Sequence, residues 1–99
     1  MRAIHLAQLD KLRPVVILTR DTVLPFLQRV TVAPITSTRK GLSTEVTVGT
    51  LNGLDHSSVI DCDNISTISS DEVGAHLGFL LDSQELELTA AIHAAFDLD

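Results

Sequence analysis

The sequence predicts a mainly β protein of the α+β class: a small, strongly bent antiparallel sheet or β-barrel with short helices and a C-terminal helix. Short apolar and β-branched runs alternate with turn residues through residues 3–81, whereas helical spacing is sustained only afterwards. Only three residues are aromatic, all of them Phe, so the core must consist mainly of Val, Ile and Leu. With 99 residues, the chain has the length of a single domain spanning residues 1–99.

The first half of the chain predicts three strands. Residues 3–9 alternate loosely between apolar and polar side chains. Residues 14–19 form a continuous apolar and β-branched run, which is typical of a strand buried on both faces. Pro14 is placed at its start because proline cannot donate a hydrogen bond within a sheet. Residues 30–36 alternate clearly and give the third strand. Two connections complete this half: residues 21–29, with room for one helical turn around Pro25, and the basic loop 37–42, which turns at Gly41.

The second half predicts further short strands around a turn and a brief helix. Asn52-Gly53 is a turn signal. Residues 69–72 combine hydroxyl and carboxylate side chains in the way typical of a helix start. Gly74 and Gly78 should keep this helix brief, because glycine weakens helices. The predicted strands are residues 44–50, 57–62, 65–69 and 77–81.

The end of the chain carries the clearest helical signal. Asp82 or Ser83 can cap the start of this helix, and Glu85 and Glu87 fall in its first turn, where carboxylates favour the positive end of the helix dipole. Five apolar residues recur at helical spacing and predict one buried face: Leu88, Ala91, Ile92, Ala95 and Phe96.

Charge is distributed unevenly along the chain. The net charge is −6, but all seven Lys and Arg residues lie in the first 40 positions, opposed there only by Asp10 and Asp21. The rest of the chain holds the other eleven carboxylates and no cation. Such an asymmetry can place a basic face for phosphate groups on an acidic protein, because phosphate contacts depend on local potential. The alternative is an acidic half that only improves solubility.

The sequence also indicates the cellular compartment of the protein. No apolar run approaches the roughly 18 residues that a membrane-spanning helix needs. The N-terminus is too short and too soon charged for a secretory signal, so we expect a cytoplasmic protein without membrane contact. The single cysteine, Cys62, is expected to be a small buried apolar residue, because one thiol cannot form an internal disulfide.

Most familiar catalytic motifs are absent. The chain has no glycine-rich phosphate loop, no His-Glu-x-x-His and no Gly-x-Ser-x-Gly. Of the four histidines, His76 and His93 are expected to be structural, whereas His5 or His56 could reach a site. Asp61 and Asp63 would share a face of a strand and could hold a divalent ion, but neighbouring acids at a loop edge are usually only solvated. No metal or cofactor is therefore predicted.

Positive charge beside strand ends is the remaining chemical signal. Arg13 precedes the buried strand, and Thr36 ends a later one. RNA can be cut without a metal because its own 2′-hydroxyl can attack the adjacent phosphorus, if the enzyme supplies a base, an acid and donors for the charge on phosphorus. A forked, permanently charged guanidinium suits that last role, and a threonine hydroxyl adds a neutral donor. The alternative for Arg13 is an ordinary surface residue.

Four segments, in order along the chain, resemble the MazF/PemK/Kid family of toxin ribonucleases from bacterial toxin–antitoxin pairs. They are Arg2–Asp10, the characteristic Arg-Pro block Arg13–Asp21, the strand and terminal threonine of Val30–Thr38, and the Asp-Asn segment of Ser58–Ile68. The resemblance implies an SH3-like, CcdB-like β-barrel. It also implies metal-independent cleavage of single-stranded RNA at short sequences, which leaves a 2′,3′-cyclic phosphate and a 5′-hydroxyl.

The resemblance implies partners as well. The expected partners are single-stranded RNA as substrate (mRNA, or rRNA or tRNA), a second copy of the chain in a homodimer, and a MazE-like antitoxin whose acidic tail lies along the RNA groove. Operator DNA would be met only through the antitoxin complex. Cleavage of these RNAs would inhibit translation and growth.

The resemblance also gives the site residues. The family's catalytic arginine falls on Arg13, its catalytic threonine on Thr36, and the aspartate that acts as a base in some members on Asp63. Residues expected to bind RNA are Lys11, Arg20, Ser37, Thr38, Arg39, Lys40, His56 and Asn64.

Two departures from the family leave alternatives open. The loop between the first two strands, long in many members, shrinks here to about Asp10-Lys11-Leu12, and Asp61 stands where one branch has an arginine. The acid and the base therefore stay unassigned at this point. A gyrase-inhibiting toxin like CcdB is one alternative, although that activity depends on a tryptophan-containing tail that the chain lacks. A catalytically weak homologue that binds the antitoxin is another.

Overall fold

The computed structural model describes residues 1–98 and shows a curled antiparallel half-barrel sheet covered by one α-helix, which confirms the predicted fold class. The strands are β1 (Ala3–Gln8), β2 (Leu12–Ile17), β3 (Arg29–Thr36), β4 (Glu45–Val48), β5 (Ser58–Asp61), β6 (Ser66–Ser69) and β7 (Val73–Phe79), and the helix is α1 (Asp82–Ala95). The sheet order is β4-β5-β3-β2-β1-β7, with β6 pairing with β3. Short 3₁₀ helices occupy Leu24–Phe26, Thr50–Asn52, Cys62–Asn64 and Ser70–Glu72.

The β1–β2 hairpin is tight. Its register pairs Gln8 with Leu12 and Ala7 with Arg13, so only residues 9–11 lie between the strands. The prediction that Pro14 starts this strand is wrong, because β2 begins at Leu12 and Pro14 lies inside it, paired with β1. Pro14 precedes the ladder between β2 and β3, which runs from Val15 to Ile17. A proline is tolerated there because its missing N–H is not needed by β3.

Alternate residues of the central strands feed two apolar clusters on opposite sides of the sheet. In β2, Val16 joins the cluster that α1 covers through Leu88 and Ala91, whereas Val15 and Ile17 join the other cluster. All three β2 residues are buried, which confirms the prediction from the continuous apolar run. The centre of the sheet is therefore packed on both faces beside the ends of β2 and β3 that carry Arg13 and Thr36.

Two predicted elements differ from the structure. The predicted helix at 69–72 is only a 3₁₀ turn, and β7 begins at once at Val73 instead of near residue 77. Gly78 lies within β7 because the Asn52-Gly53 turn packs directly on the strand, and a Cβ on Gly78 would overlap the carbonyl of Asn52. Glycine here reflects close backbone approach rather than an interrupted helix.

The C-terminal helix is where it was predicted, with a different cap and a shorter buried face. The side chain of Gln84, rather than Asp82 or Ser83, accepts the Leu81 N–H at 2.9 Å. Leu88 and Ala91 are buried, but Phe96 is 58% exposed, since the helix ends at Ala95. No helix among residues 1–98 has both the length and the apolar character needed to cross a membrane.

Candidate active site

Arg13 and Thr36 lie side by side at one end of the central strands. The β2–β3 register pairs Val15 with Pro34, and its extension by two residues brings Thr36 opposite Arg13. Arg13 follows the tight hairpin, and Thr36 is the last residue of β3. Both side chains line two adjoining depressions in the surface. Sheet pairing therefore positions the two residues that the sequence analysis placed at the site.

The first depression, here called the acidic groove, has a volume of about 480 Å³. Three carboxylates and two cations stand in its wall, so its formal charge is negative. Among the predicted RNA-binding residues, Thr38, Lys40 and Asn64 lie here. The lining consists of Leu9, Asp10, Arg13, Pro34, Thr36, Thr38, Lys40, Glu45, Asp61 and Asn64.

The second depression, here called the apolar groove, has a volume of about 300 Å³. Leucines and Pro14 form much of its wall, and Lys11, Ser37 and His56 from the predicted RNA-binding set lie here. Its other members, besides Arg13 and Thr36, are Leu6, Leu12, Ile35, Gly53, Leu54, Asp55, Ser58 and Leu77.

The side chain of Arg13 is held by a two-pronged ion pair with Asp10. Arg13 Nε donates to Asp10 Oδ1 at 2.8 Å, and Nη2 donates to Oδ2 at 3.0 Å. These hydrogen bonds lower the pKa of Asp10 to about 2 and raise the pKa of Arg13. The three-residue connection makes the pair possible, because it places an acid and a base three positions apart at the tip of one hairpin. Nη1 takes no part in the pair.

The hydroxyl of Thr36 is oriented by its own strand end. Thr36 Oγ1 accepts the Thr38 N–H at 3.2 Å. A hydroxyl has one proton to donate and two lone pairs. Because this bond uses a lone pair, the proton stays free for a bond to another group. Thr36 can therefore act as a neutral donor beside the Arg13 guanidinium.

Glu45 and Asp61 are the other two carboxylates that line the acidic groove with Asp10. The β4–β5 register pairs them directly. The Glu45 carboxylate accepts backbone N–H bonds from Lys40, Gly41 and Leu42. Desolvation raises the pKa of the Glu45 carboxyl group, and the nearby charge of Asp61 raises it further. The three backbone N–H bonds outweigh both effects and hold this pKa below its ordinary value.

Asp63, the base implied by the resemblance, does not line either groove. Its carboxylate accepts the hydroxyl proton of Thr44 at 2.7 Å. Asp61 lies in the acidic groove instead, where it accepts the Asp63 N–H at 3.0 Å and an Asn64 Nδ2–H at 2.6 Å. The short 3₁₀ turn at Cys62–Asn64 separates the two carboxylates, so the strand-like shared face expected for them is wrong.

Two other predicted residues, Arg20 and Arg39, lie away from the grooves. Arg20 lines a separate pocket of about 180 Å³ with Arg2 and Glu85. Arg39 donates to the hydroxyls of Thr47 and Ser57 at 2.9 and 3.2 Å. The cations of the first 40 residues therefore do not gather on one basic face, because β-sheet pairing distributes them over different edges.

The histidines and the cysteine are also separated by the fold. His5 Nδ1 lies 3.0 Å from the Gly74 carbonyl, and its ring packs 5.1 Å from that of His76. Of the two candidates, only His56 therefore lines a groove with Arg13. Cys62 is buried, as predicted, and burial raises the pKa of its thiol to about 11. No cluster of three potential metal ligands occurs within residues 1–98.

Three groove residues, all carboxylates, were not among the predicted catalytic or RNA-binding residues. Asp10 carried a usable signal, because an acid three positions before the arginine at a tight hairpin can reach it. Glu45 gave none, because its place in the site depends on the pairing of β4 with β5, and Asp61 was considered only as half of a possible metal-binding pair.

The whole chain resembles known toxins. Residues 4–96 match the family described as PemK-like, MazF-like toxin of type II toxin-antitoxin system. The chain belongs to this family. The endoribonuclease MazF3 of Mycobacterium tuberculosis is 59% identical over 99 residues, which cover all of this chain and 96% of that protein. The predicted family and the predicted endoribonuclease activity are thereby confirmed.

Solved structures agree with that assignment. The M. tuberculosis toxin MazF-mt6 superposes with a TM-score of 0.97 at 58% identity, covering 99% of both chains. An endoribonuclease from a mycobacterial species, solved in complex with its cognate antitoxin, gives a TM-score of 0.87 at 23% identity, covering 98% of this chain and 93% of that one. The second likeness shows the fold alone.

Proposed function

We propose that this family member acts in the cytoplasm and cuts single-stranded RNA without a metal, with Arg13 and Thr36 holding the scissile phosphate. The observation that carries the proposal is their placement together where the two grooves meet. A phosphate at that junction receives a charged fork and a neutral donor, and a strand of RNA can extend into a groove on either side.

The reaction follows from the chemistry of RNA. The 2′-oxygen attacks phosphorus, the bond from phosphorus to the 5′-oxygen breaks, and the products are a 2′,3′-cyclic phosphate and a 5′-hydroxyl. Arg13 and Thr36 stabilise the negative charge that grows on the phosphoryl oxygens. The proton of the 2′-hydroxyl leaves to a carboxylate, for which we assign Asp61 in place of Asp63, and the 5′-oxygen takes a proton from His56.

Asp10 has a different role in this scheme. A carboxyl group with a pKa of about 2 is a weak proton acceptor at neutral pH. Its two bonds to Arg13 instead keep the guanidinium in one orientation before RNA arrives. The intact Arg13–Thr36 pair favours an active enzyme over a homologue that only binds an antitoxin.

Lys11, Ser37, Thr38, Lys40, His56 and Asn64 bind RNA in this proposal, since all of them line a groove. The physiological partner is a MazE-like antitoxin that covers the same grooves, and the working form is a homodimer that meets operator DNA only through the antitoxin. The complex between a mycobacterial endoribonuclease and its antitoxin, and MazE–MazF of Deinococcus radiodurans, support this choice of partner.

Incubation of the purified protein with a long single-stranded RNA in excess chelator tests the proposal. We expect cuts at a short recurrent sequence, 5′-hydroxyl ends that a kinase can label directly, and no cutting by Arg13→Ala. Cutting that chelator abolishes, or 5′-phosphate ends, would refute the mechanism. Mapping the ends on a known transcript also gives the RNA sequence recognised.

A further inference from the structure

The loop between β3 and β4 is exposed except at its last residue, Thr44, yet it contributes to the acidic groove. Residues 37–43 are all exposed, and with Thr44 they connect Thr36 to Glu45. Thr38 and Lys40 from this loop line the groove, and the Thr38 N–H orients the Thr36 hydroxyl. A segment such as residues 37–43, which has no buried side chain, is ordinarily among the least stable parts of a protein. Its place at a site therefore needs specific attachments.

One attachment is the side chain of Glu45. Its carboxylate accepts N–H bonds from Lys40 at 3.0 Å, Gly41 at 2.9 Å and Leu42 at 3.1 Å. The Glu45 N–H in turn donates to the Leu42 carbonyl at 3.1 Å. Gly41 has a φ of +76°, which a side chain would strain and which turns successive N–H groups toward one anion.

The second attachment is the side chain of Arg39. Its guanidinium donates to Thr47 on β4 and to Ser57 beside β5, at 2.9 and 3.2 Å. Arg39 does not line either groove. The two attachments involve neighbouring residues of the loop. Both hold the loop against β4, and the Arg39 attachment also reaches Ser57, the residue before β5. The Arg39 guanidinium is thus hydrogen-bonded to hydroxyl groups of the protein itself.

We infer that Glu45 and Arg39 are positioning residues, which fix the 37–42 loop so that the Thr36 hydroxyl and Lys40 meet the RNA. This inference rests on the proposed function, because it concerns residues that support Arg13 and Thr36. The inference also reverses the effect on activity that is expected when the Glu45 carboxylate is removed. An unneutralised carboxylate in an RNA groove should repel phosphate, and its removal should then improve binding. As a positioning residue, its removal should instead slow the chemical step.

Cleavage kinetics of Glu45→Gln and Glu45→Ala on a short single-stranded RNA separate these cases. We expect kcat to fall about 10- to 100-fold in Glu45→Ala, with KM within a few-fold, because a small misplacement of catalytic groups is costly. Glu45→Gln keeps an acceptor oxygen and should retain part of the rate. Glu87→Gln, an exposed carboxylate on α1, is the matched control and should cut like the parent. An unchanged kcat with a lower KM in both Glu45 variants overturns the inference.

For Arg39, Thr47→Val removes a hydroxyl partner while leaving the charge in place. We expect Thr47→Val and Arg39→Ala to reduce kcat in the same direction, with the salt dependence of KM unchanged. If Arg39→Ala instead lowers the salt slope by about one while Thr47→Val has no effect, Arg39 is a phosphate contact and its positioning role is wrong.

Amide hydrogen exchange keeps this test separate from the proposed function. Exchange at Lys40, Gly41 and Leu42 should accelerate in Glu45→Gln relative to the parent, whether or not the protein cuts RNA. Absence of RNA cleavage by the parent defeats the proposed function, whereas unchanged exchange at these amides in a folded Glu45→Gln defeats the inference. If Glu45→Ala fails to fold, Glu45→Gln supplies both measurements.

Discussion

The two grooves share Arg13 and Thr36 but differ in the chemistry of their other walls. Asp10, Glu45 and Asp61 make the acidic groove less favourable for a further phosphate than the apolar groove, although Lys40 offers one contact there. The apolar groove carries Lys11 and His56 over a floor of leucines, which suits the flat face of a base beside a backbone contact. The difference teaches that charge in this protein is focused on the junction rather than spread over a basic face. An acidic protein can therefore still hold one phosphate in a defined place.

Replacement of Arg13 should have the largest effect, because this residue belongs to both grooves. Arg13→Lys keeps the charge but cannot form the fork that meets Asp10 and a phosphate together. We expect a loss of kcat/KM of about 100-fold or more, measured by single-turnover cleavage of a defined RNA. A variant that retains most of the activity would show that point charge alone suffices at the junction.

Removal of the Thr36 hydroxyl should have the next largest effect. Thr36→Val preserves shape but removes the donor, and we expect kcat to fall about 10- to 100-fold with little change in KM. Thr67→Val, which removes a hydroxyl that bonds Thr31 on the far side of β3, is the control. A loss confined to KM would place Thr36 in ground-state binding and not in charge stabilisation.

Substitution of single lysines should separate the two grooves. Lys11→Ala and Lys40→Ala should each weaken RNA binding several-fold and reduce the salt slope by about one. Lys11 should matter more, since carboxylates surround Lys40. Arg20→Ala should bind RNA like the parent, because Arg20 lies in the pocket with Arg2 and Glu85. Equal losses for all three would mean that binding follows net charge and that the grooves are not distinct. Fluorescence anisotropy on an uncleavable RNA at several salt concentrations gives these numbers.

The smallest effect should come from the pH dependence of the Asp10–Arg13 pair. The folded pKa of Asp10 is lowered to about 2 from an ordinary 3.8, so its contribution to stability is full above 3.8 and is lost as pH falls through about 2. The contribution is small because the carboxylate is exposed. Carbon-13 NMR of the Asp10 carboxyl should show the low pKa in the parent and a return toward 3.8 in Arg13→Ala. An ordinary pKa in the parent would show that the ion pair is not formed in solution.

The sequence predicted the central part of the fold because local patterns determine it. The β-branched run of β2 and the clear alternation of β3 correspond to strands with one or both faces buried, although β2 begins at Leu12, two residues before Pro14. The need for glycine at position 78 could not be predicted from neighbouring residues in the sequence. It arises because the Asn52-Gly53 turn packs on β7 and brings the Asn52 carbonyl close to Gly78. Phe96 fits the apolar spacing of the helix, but the helix ends at Ala95, so the predicted burial of Phe96 is wrong.

The candidate site likewise contains residues that sequence motifs predict and residues that only the three-dimensional pairing of strands brings together. Arg13 and Thr36 were predicted through a family resemblance that motifs carry, and the sheet register brings them together. Glu45 and Asp61 could not be predicted, because the pairing of β4 with β5 creates their contact. Asp63 was predicted as a base because the resemblance places the family's aspartate there, whereas the 3₁₀ turn that begins at Cys62 directs its carboxylate to Thr44 and leaves Asp61 in the acidic groove.

The three-residue connection between β1 and β2 has a kinetic consequence. A long segment at this position could fold over bound RNA like a flap and would have to reopen before the products leave. Residues 9–11 are too few to cover the junction, so no hinge in this hairpin delays dissociation. Turnover should then be governed by the chemical step or by the grip of the grooves on the cut ends. A burst of product in the first turnover would show that release of those ends is slow.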